Sequence, residues 1–311
     1  YALQSGEQVM LYLNRRGSGS LVQCRDCGYT LRCRRCDLSL TYHAQSERLL
    51  CHQCNYRLNS PRACPQCRGR RIRYLGLGTQ RVMEEVQRIF PGANALRWDR
   101  DTASARGAHE SIMENFNRGE AQVLVGTQMI AKGLHFPNVT LVGVLCADIG
   151  LFLPDYRAGE RVFQLLCQVA GRTGRGPLGG QVIIQTYSPQ HYAVAAASAQ
   201  DYEGFYQEEM TYREEQGLPP FGHLVHLVYL HISQDRCRQE ALRFGGVLKR
   251  QRDAWGLTNI DILGPAPAYP PRLRGRYRWH VILRGQEPRS LLEKTPIARG
   301  WAVDVDPISV A

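Results

Sequence analysis

This sequence of 311 residues lacks several features that mark common classes of protein. It has no apolar run of the ~18 residues that a membrane-spanning helix needs, which excludes a helical membrane span. No Gly-Lys dipeptide occurs, which excludes a Walker A loop, and no Asp-Glu dipeptide occurs, which excludes a DExH magnesium motif. We therefore expect a soluble, globular chain that does not hydrolyse ATP unaided.

Lysine is also scarce, with only three lysines among the 39 basic residues. The net charge of +11 is therefore carried mostly by guanidinium groups, which suit forked contacts with phosphate and stacking on bases. Residues 1–73 contain thirteen arginines but only four acidic residues. This excess predicts a polyanionic partner, and a solvated basic face is the alternative.

Cysteine, by contrast, is concentrated in one segment. Two intervening residues let a tight turn direct both sulfurs of a Cys-x-x-Cys pair at one tetrahedral Zn²⁺, so four pairs supply two complete sites. Disulfides are the alternative, but no secretion signal is recognisable and cytosolic thiols stay reduced. His43 and His52 are further potential ligands, although with eight thiols available we expect both on the surface. The four pairs, formed by eight of the eleven cysteines, are Cys24/Cys27, Cys33/Cys36, Cys51/Cys54 and Cys64/Cys67.

The spacing favours a nested pairing of these four pairs without deciding it. Only five residues separate Cys27 from Cys33, which is cramped for four ligands around one ion, whereas fourteen residues separate Cys36 from Cys51. Nesting assigns one zinc to Cys24, Cys27, Cys64 and Cys67, and the other to Cys33, Cys36, Cys51 and Cys54. Adjacent and crossed pairings stay open.

Predicted strands and helices alternate on both sides of the cysteine block. Such alternation predicts a parallel sheet with helices on both faces, and Thr79 is the expected N-cap of the helix that follows the block. Beyond residue 220 the order strand, helix, two strands, short helix, strand suggests a small α+β, ferredoxin-like unit. The predicted domains are an α/β lobe (1–22 and 74–190), a zinc-binding insertion (23–73), a connecting helix (191–220) and a C-terminal domain (221–311).

Three stretches are candidates for binding phosphate or nucleic acid. Residues 126–133, G-T-Q-M-I-A-K-G, follow a predicted strand, where α/β proteins place ligand sites. In residues 168–175, Q-V-A-G-R-T-G-R, two arginines three apart suit an arginine finger on a γ-phosphate. Residues 270–279 interleave four arginines with Tyr277 and Trp279, a stacking-plus-phosphate pattern for DNA that includes Arg276 and Arg278. If these aromatics instead alternate into the core, we still expect the arginines to be exposed.

Residues 126–133 and 168–175 resemble motifs V and VI of the superfamily 2 helicases, both on the second RecA-like lobe. The basic eight-cysteine insertion narrows the resemblance to the family of PriA replication-restart helicases, also called primosomal protein N′. Further segments that support it are LGLGTQ (75–80), KGLHFPNVTLV (132–142), ADIGLFLPDYRAGERVFQLL (147–166), GLPPF (217–221), GRYRWHVILRG (275–285) and DVDP (304–307). The resemblance covers almost the whole chain.

This resemblance implies an ATP-dependent 3′→5′ DNA helicase that recognises stalled forks and helps to restart replication. It implies a cytoplasmic, nucleoid-associated protein that binds forked DNA, single-stranded-DNA-binding protein and other primosome proteins, with two Zn²⁺ and with ATP/Mg²⁺ shared with a missing first lobe. It also implies the nested zinc pairing. By motif position, the resemblance implies ATP sensing by Arg172 and Arg175 and shaping of their loop by Gln168 and Gly171. It also implies that Gly133 lies near nucleotide and DNA, and that Thr127 and Gln128 contact the DNA backbone.

Two positions depart from the common patterns of these motifs. Gln80 stands where an acidic residue often follows Gly-Thr, and His135 stands where an Asp is frequent. These two positions and the missing Walker lysine allow an alternative, a non-enzymatic scaffold that binds DNA forks and proteins. A third class is an RNA helicase or translation-type zinc protein. The expected chain is the C-terminal portion of a helicase, with Walker A and B motifs on a preceding part.

Overall fold

A computed structural model of the chain describes residues 1–13, 20–36, 38–43, 46–75, 78–99, 102, 107–127, 130, 136–173 and 179–311. The strands in these ranges are β1 (Gln8–Leu13), β2 (Ser20–Cys24), β3 (Thr41–His43), β4 (Arg48–Leu50), β5 (Arg57–Asn59), β6 (Ile72–Leu75), β7 (Ala95–Trp98), β8 (Val123–Gly126), β9 (Val139–Leu145), β10 (Gln181–Ile184), β11 (His223–His231), β12 (Asp261–Leu273), β13 (Arg276–Gly285) and β14 (Trp301–Val305). The helices there are α1 (Thr79–Ile89), α2 (Ala108–Asn117), α3 (Asp148–Leu151), α4 (Ala158–Ala170), α5 (Tyr192–Ala199), α6 (Tyr202–Glu215), α7 (Gln234–Ala254) and α8 (Ser290–Glu293).

The contacts divide the chain into two compact units. The first unit comprises Tyr1–Arg16, Gly76–Leu151 and Gly159–Phe205, and the second comprises Gly17–Leu75, Phe152–Ala158 and Tyr206–Ala311. The cysteine-rich segment therefore packs in the same unit as the C-terminal domain. Within the described ranges, no helix is both long enough and apolar enough to cross a membrane.

The first unit is built on a five-stranded sheet in the order β10-β9-β1-β8-β7, with every neighbouring pair parallel. The predicted parallel sheet of helicase-lobe type is thus confirmed. Its central strands are almost entirely apolar and buried, including Met10, Leu13 and residues 123–125, because a parallel sheet is covered by helices. Helix α1 contributes Val82 and Val86 to this core.

The predicted N-cap of α1 is wrong by one residue. Gly78 is the N-cap, in extended conformation and without a capping side-chain bond. The hydroxyl of Thr79 instead donates a hydrogen bond to the carboxylate of Asp99, which is fully buried. A buried carboxylate needs donors, and this requirement outweighs the local preference for capping.

The cysteine-rich segment forms a second sheet in the order β5-β4-β3-β2-β6, in which every neighbouring pair is antiparallel. Its small core consists of Val22, Leu31, Leu40 and Leu49, packed against the buried Cys33 and Cys51. So small a core gives little stability by itself, which is the situation in which small modules depend on metal.

The C-terminal domain has the element order β11-α7-β12-β13-α8-β14 and an antiparallel sheet in the order β12-β13-β11-β14. This is the predicted ferredoxin-like arrangement. Phe244 and Leu248 of α7 pack on Val225, Leu227 and Val281 of the sheet. The strand predicted near residues 260–263 continues to Leu273, so β12 and β13 form one long hairpin. Its turn consists of Arg274 and Gly275, which have φ values of 48° and 80°.

Candidate functional site

The Cys-x-x-Cys pairs share one backbone geometry, a tight turn that we call a knuckle. In each of the four knuckles the amide of the first cysteine donates to the carbonyl five residues later, as from Cys51 to Tyr56 over 2.8 Å. Three of the residues that follow a knuckle have a positive φ, namely Gly28 at 76°, Asn55 at 61° and Arg68 at 60°. Glycine and asparagine adopt this conformation readily, so two of the three turns are encoded locally.

The four knuckles pair in the nested way and form two clusters of sulfur atoms. Within each cluster the four Sγ atoms lie within 4.8 Å of one another: Cys24, Cys27, Cys64 and Cys67 in the first cluster, and Cys33, Cys36, Cys51 and Cys54 in the second. Sulfur pairs are 3.7 Å apart for Cys24 and Cys67, and 3.5 Å apart for Cys33 and Cys54. A tetrahedral Zn²⁺ with Zn–S bonds of ~2.3 Å spaces its sulfurs by about 3.8 Å, whereas a disulfide needs ~2.05 Å. The residues present therefore fit zinc, and all eight thiols are free.

Backbone amides donate to some of the sulfurs, while the sulfurs within each cluster also crowd one another. Backbone amides of Asp26, Arg35 and Gly69 donate to Cys24, Cys33 and Cys67, each over 3.4 Å. In the second cluster, hydrogen bonds from Cys36 and Cys51 lower the pKa of Cys54 to about 2, while the same crowding raises the pKa of Cys36. Four thiols this close cannot all ionise without a cation, which is the charge that a bound metal supplies.

His52, expected on the surface, is instead buried with 2% of its area exposed, so that expectation is wrong. Its Nδ1 lies 2.8 Å from the carbonyl of Pro267, and its own carbonyl lies 2.5 Å from Nε2 of His280. Carbonyl oxygens only accept hydrogen bonds, so Nδ1 of His52 and Nε2 of His280 each carry a proton and act as donors. His226 then donates from Nε2 to Nδ1 of His280 over 2.8 Å, and His43 donates to Nε2 of His52 over 3.1 Å. A chain of four neutral histidines thus joins the second cluster to the C-terminal sheet.

Burial accounts for the neutral state of these rings. Loss of hydration lowers the pKa of His52 to about 3, that of His280 to about 3 and that of His226 to about 4. Sequence reasoning missed this chain because its members lie on four separate strands or turns. The only sequence signal is the histidine inside the Cys51–Cys54 knuckle.

In the first unit, the candidate nucleotide residues lie at the amino ends of the parallel strands, and the candidate DNA residue Thr127 lies at their carboxyl ends. Arg172 follows α4 and donates from Nε to the carbonyl of Gln168 over 3.1 Å. Its neighbour Thr173 donates to the carbonyl of Val139, the first residue of β9, over 3.2 Å, which places this loop at the amino ends of the strands. Thr127 directly follows the carboxyl end of β8.

The structure therefore brings Gln168, Gly171 and Arg172 together and keeps Thr127 apart from them. Gly171 lies in the turn that ends α4, where its amide donates to the carbonyl of Cys167 over 3.0 Å. The remaining predicted residues of this unit, which are Gln128, Gly133 and Arg175, lie outside the described residues, as does His135.

A buried carboxylate at the end of β7 forms a network that sequence reasoning did not find. Asp99 accepts from Thr79 and from the amide of Thr102, and it pairs with Nε of Arg97 at 3.2 Å. Arg97 also donates from Nη1 to Gln80 over 2.6 Å. Gln80, one of the two unusual positions, therefore still accepts a hydrogen bond where a carboxylate would form an ion pair.

The two arginines proposed for DNA in the C-terminal hairpin differ in exposure. Arg276 is exposed, whereas Arg278 is half-buried and donates from Nη1 to the carbonyl of Tyr269 over 3.3 Å. Burial lowers the pKa of Arg278. Trp279 lies in the core with 4% of its area exposed, and Tyr277 remains half-buried. The expectation that all arginines of this stretch are exposed is therefore wrong for Arg278.

Three family profiles match the chain. Residues 214–308 match the primosomal protein N C-terminal domain, residues 80–177 match the helicase conserved C-terminal domain, and residues 33–58 match the PriA DNA helicase Cys-rich region domain. Together they cover strands β7, β8 and β9 of the first sheet, the second cysteine cluster and the C-terminal domain, whereas β1 and β10 lie outside the matched residues.

Curated relatives extend this similarity over nearly the whole chain. Replication restart protein PriA of Bacillus subtilis is 45% identical over 93% of this chain and 35% of its own length. The Chlamydia muridarum protein of the same name is 45% identical over 99% of this chain and 42% of its own, and that of Treponema pallidum is 41% identical over 99% and 47%. The chain thus spans less than half the length of these relatives. The Pyrococcus furiosus Hef helicase domain is 17% identical, with a TM-score of only 0.29 over 64% of this chain and 25% of that one, so the fold assignment rests on the strand order.

Proposed function

Since the chain belongs to the PriA family of replication restart proteins, we propose that it is the C-terminal part of an ATP-dependent DNA helicase. The proposed protein unwinds DNA in the 3′→5′ direction, recognises stalled forks and recombination intermediates, and initiates primosome assembly. The observation that carries this proposal is the pair of nested four-cysteine clusters, inserted between β1 and α1 of a parallel sheet of helicase-lobe type. The superfamily 2 helicases share this type of sheet, so the sheet alone does not distinguish their families. The cysteine-rich insertion is the feature that favours the replication-restart family.

The zinc proposal assigns one Zn²⁺ to each cluster. The matched Cys-rich region and the sulfur spacing both support zinc binding. A zinc ion at such a closed four-thiolate site supplies cross-linking of the chain and no open position for chemistry. Its contribution would be to hold the small second sheet together and to keep the knuckles fixed.

For the nucleotide, we propose that Arg172 and Arg175 contact the phosphates of ATP and that Gln168 and Gly171 shape their loop. Gly133 would lie near nucleotide and DNA. The chain contains no Walker A or DExH motif, so ATP and Mg²⁺ would be bound jointly with groups from the part of the relatives that this chain does not cover. Arg172 would stabilise charge that develops on the transferred phosphoryl group. Thr127 and Gln128 would contact the DNA backbone at the other edge of the sheet.

The proposed partners are forked and single-stranded DNA, single-stranded-DNA-binding protein and other primosome proteins, in the cytoplasm at the nucleoid. Support for a nucleic-acid partner comes from the net charge of +11, which is mostly arginine. The residue patterns that carry the resemblance to replication-restart helicases support the remaining partners.

The test compares the chain alone with the chain joined to the preceding part of its natural protein. We expect no DNA-stimulated ATPase from the chain alone and robust activity from the joined protein. Arg172→Ala in the joined protein should lower kcat by about 10³-fold, the usual loss on removing an arginine finger. Arg118→Ala is the matched control, since Arg118 is an exposed arginine paired only loosely with Glu114 at 3.5 Å.

Two outcomes would contradict the proposal. ATPase activity of the chain by itself would show that its chemistry does not depend on a second lobe. Fork binding without ATPase or unwinding by the joined protein would favour the scaffold alternative.

A further inference from the structure

The second unit contains a cleft that neither the zinc sites nor the helicase motifs use. It has a volume of about 500 Å³ and lies between strands β3 and β4 of the cysteine-rich sheet on one side and the β12–β13 hairpin on the other. We call it the hairpin cleft. Its size is within the ~300–1,000 Å³ of typical small-ligand pockets.

The rim of the hairpin cleft is positively charged. Arg48, Arg57 and Arg272 line it, and all three are exposed. Among the described residues that line the cleft there is no Asp or Glu. A cleft with several guanidinium groups and no carboxylate concentrates anions, and guanidinium binds phosphate in a forked geometry.

The walls of the cleft are aromatic. Tyr42 and His43 from β3 and Tyr277 from β13 are half-buried and offer ring surface to the cleft, whereas Tyr269 from β12 and Trp279 from β13 are buried behind it. Buried neighbours fix these rings: Tyr269 meets His52 edge-on with ring centroids 5.2 Å apart. The guanidinium of Arg272 lies 5.3 Å from the centroid of the Tyr277 ring, which brings a positive charge next to a flat aromatic face.

We propose that the hairpin cleft binds a nucleotide of single-stranded DNA, with its phosphate between the rim arginines and its base on the aromatic wall. This rests on the proposed action on DNA and assigns the contact to particular residues. Aromatic faces beside guanidinium groups are the usual means of holding single strands without regard to sequence. An acidic peptide would use the arginines but leave the aromatic wall without a matching partner, so the composition favours a nucleotide.

The arginines that this proposal assigns to DNA differ from those that the sequence pattern singled out. Arg278, singled out by its sequence pattern, donates to the carbonyl of Tyr269 and is half-buried. The exposed arginines that line the cleft together with Tyr277 are instead Arg272 and two residues from a distant segment, Arg48 and Arg57. No linear motif joins these three positions.

The first experiment measures binding of fluorescein-labelled dT12 to the zinc-loaded 311-residue chain by anisotropy across a salt series. Arg48→Gln/Arg272→Gln should weaken binding at least tenfold and reduce the slope of log K against log salt by about 1.4, or ~0.7 for each phosphate contact with a single strand. Tyr277→Leu should weaken binding by about fivefold or more at an unchanged slope, because it removes stacking but no charge. The control is Arg62→Gln/Arg70→Gln, two exposed arginines of the same sheet region outside the cleft, for which we expect less than a twofold change.

The second experiment cross-links a dT12 that contains 5-iododeoxyuridine and maps the adducts by mass spectrometry. We expect adducts on Tyr42 or Tyr277 that free dTMP does not compete away. Equal effects of the cleft and control variants, or adducts only elsewhere, would overturn the cleft proposal while leaving the proposed function intact. Efficient competition by dTMP, or by an acidic peptide, would assign the cleft to a free nucleotide or a protein. Failure of the unaltered chain to bind dT12 or forked DNA would instead count against the proposed function.

Discussion

His280 donates a hydrogen bond from Nε2 to the main-chain carbonyl of His52 over 2.5 Å. His52 lies between two zinc-ligand candidates, Cys51 and Cys54, whereas His280 lies at the centre of the C-terminal sheet. The bond therefore connects a knuckle directly to the core of the neighbouring domain. Disorder in that knuckle would leave buried polar groups of the domain unsatisfied, which links metal binding to the stability of the sheet.

We predict that the chain binds two Zn²⁺ and that the clusters differ in their effect on the C-terminal domain. Cys51→Ser/Cys54→Ser and Cys64→Ser/Cys67→Ser should each leave one Zn²⁺ per chain, measured by elemental analysis. Only the first change removes the knuckle that contacts His280. Hydrogen exchange of residues 276–285 should therefore accelerate in the first variant alone. Equal acceleration in both would contradict the link through His52.

We predict that His280→Ala destabilises the second unit by about 2–4 kcal/mol, because it leaves two buried groups, the His52 carbonyl and the His226 Nε2–H, without partners. Urea unfolding followed by tryptophan fluorescence measures this change. His223→Ala is the control, since His223 lies on the same sheet but is exposed and pairs only with Asp306. If His280→Ala lowered the free energy of unfolding by less than the control does, water or a local rearrangement would be satisfying the His52 carbonyl and the His226 Nε2–H.

We predict that the chain loses stability as the pH falls below about 6.5, the ordinary pKa of histidine. Burial lowers the pKa of His52, His226 and His280 to about 3, 4 and 3 in the folded chain. Between these values and 6.5 the unfolded chain binds protons that the folded chain does not, so stability is complete above 6.5 and declines with acidification. Each histidine contributes at most ~1.4 kcal/mol per pH unit. Urea midpoints at pH 7.5, 6.5 and 5.5, with zinc content measured alongside, test the slope.

The matching control for this pH dependence is His226→Gln, which keeps an N–H donor but cannot titrate. Its profile should be shallower than that of the unaltered chain over the same range. A flat profile in the unaltered chain, or a rise in stability on acidification, would show that the histidines are not buried in the neutral form.

We predict that Gly126→Ala destabilises the first unit by about 1–3 kcal/mol, the usual cost of overpacking. A Cβ at Gly126 would lie 2.6 Å from the carbonyl oxygen of Trp98 and 2.7 Å from the Ile130 side chain. Gly92→Ala is the control, because a Cβ there meets nothing within 4 Å. Thermal unfolding of both variants measures the difference, and equal melting temperatures would contradict the close packing at the end of β8.

Much of the fold followed from local patterns. The alternation of apolar strands and amphipathic helices indicated the parallel sheet, and the order of elements after residue 220 indicated the ferredoxin-like domain. Both patterns depend on periodicity within about ten residues, which a single sequence displays directly. The capping of α1 could not be predicted, because the hydroxyl of Thr79 donates to the carboxylate of Asp99, twenty positions away in the sequence.

The sequence by itself determined the features that depend on short spacing, which are the four knuckles and enough thiols for two four-cysteine sites. Its composition determined that the net positive charge is carried mostly by arginine. Two residues between cysteines decide where both sulfurs point, whatever the rest of the chain does. Only the tertiary structure decided that His52 is buried, that Arg278 faces backbone carbonyls, and that Arg48, Arg57 and Arg272 share one cleft. The burial of His52 and the shared cleft depend on packing between segments more than 200 residues apart, as for His52 and His280, and no local pattern encodes such a contact. The placement of Arg278 depends on how the β12–β13 hairpin bends back on itself, because its partner Tyr269 lies nine positions away on the other strand.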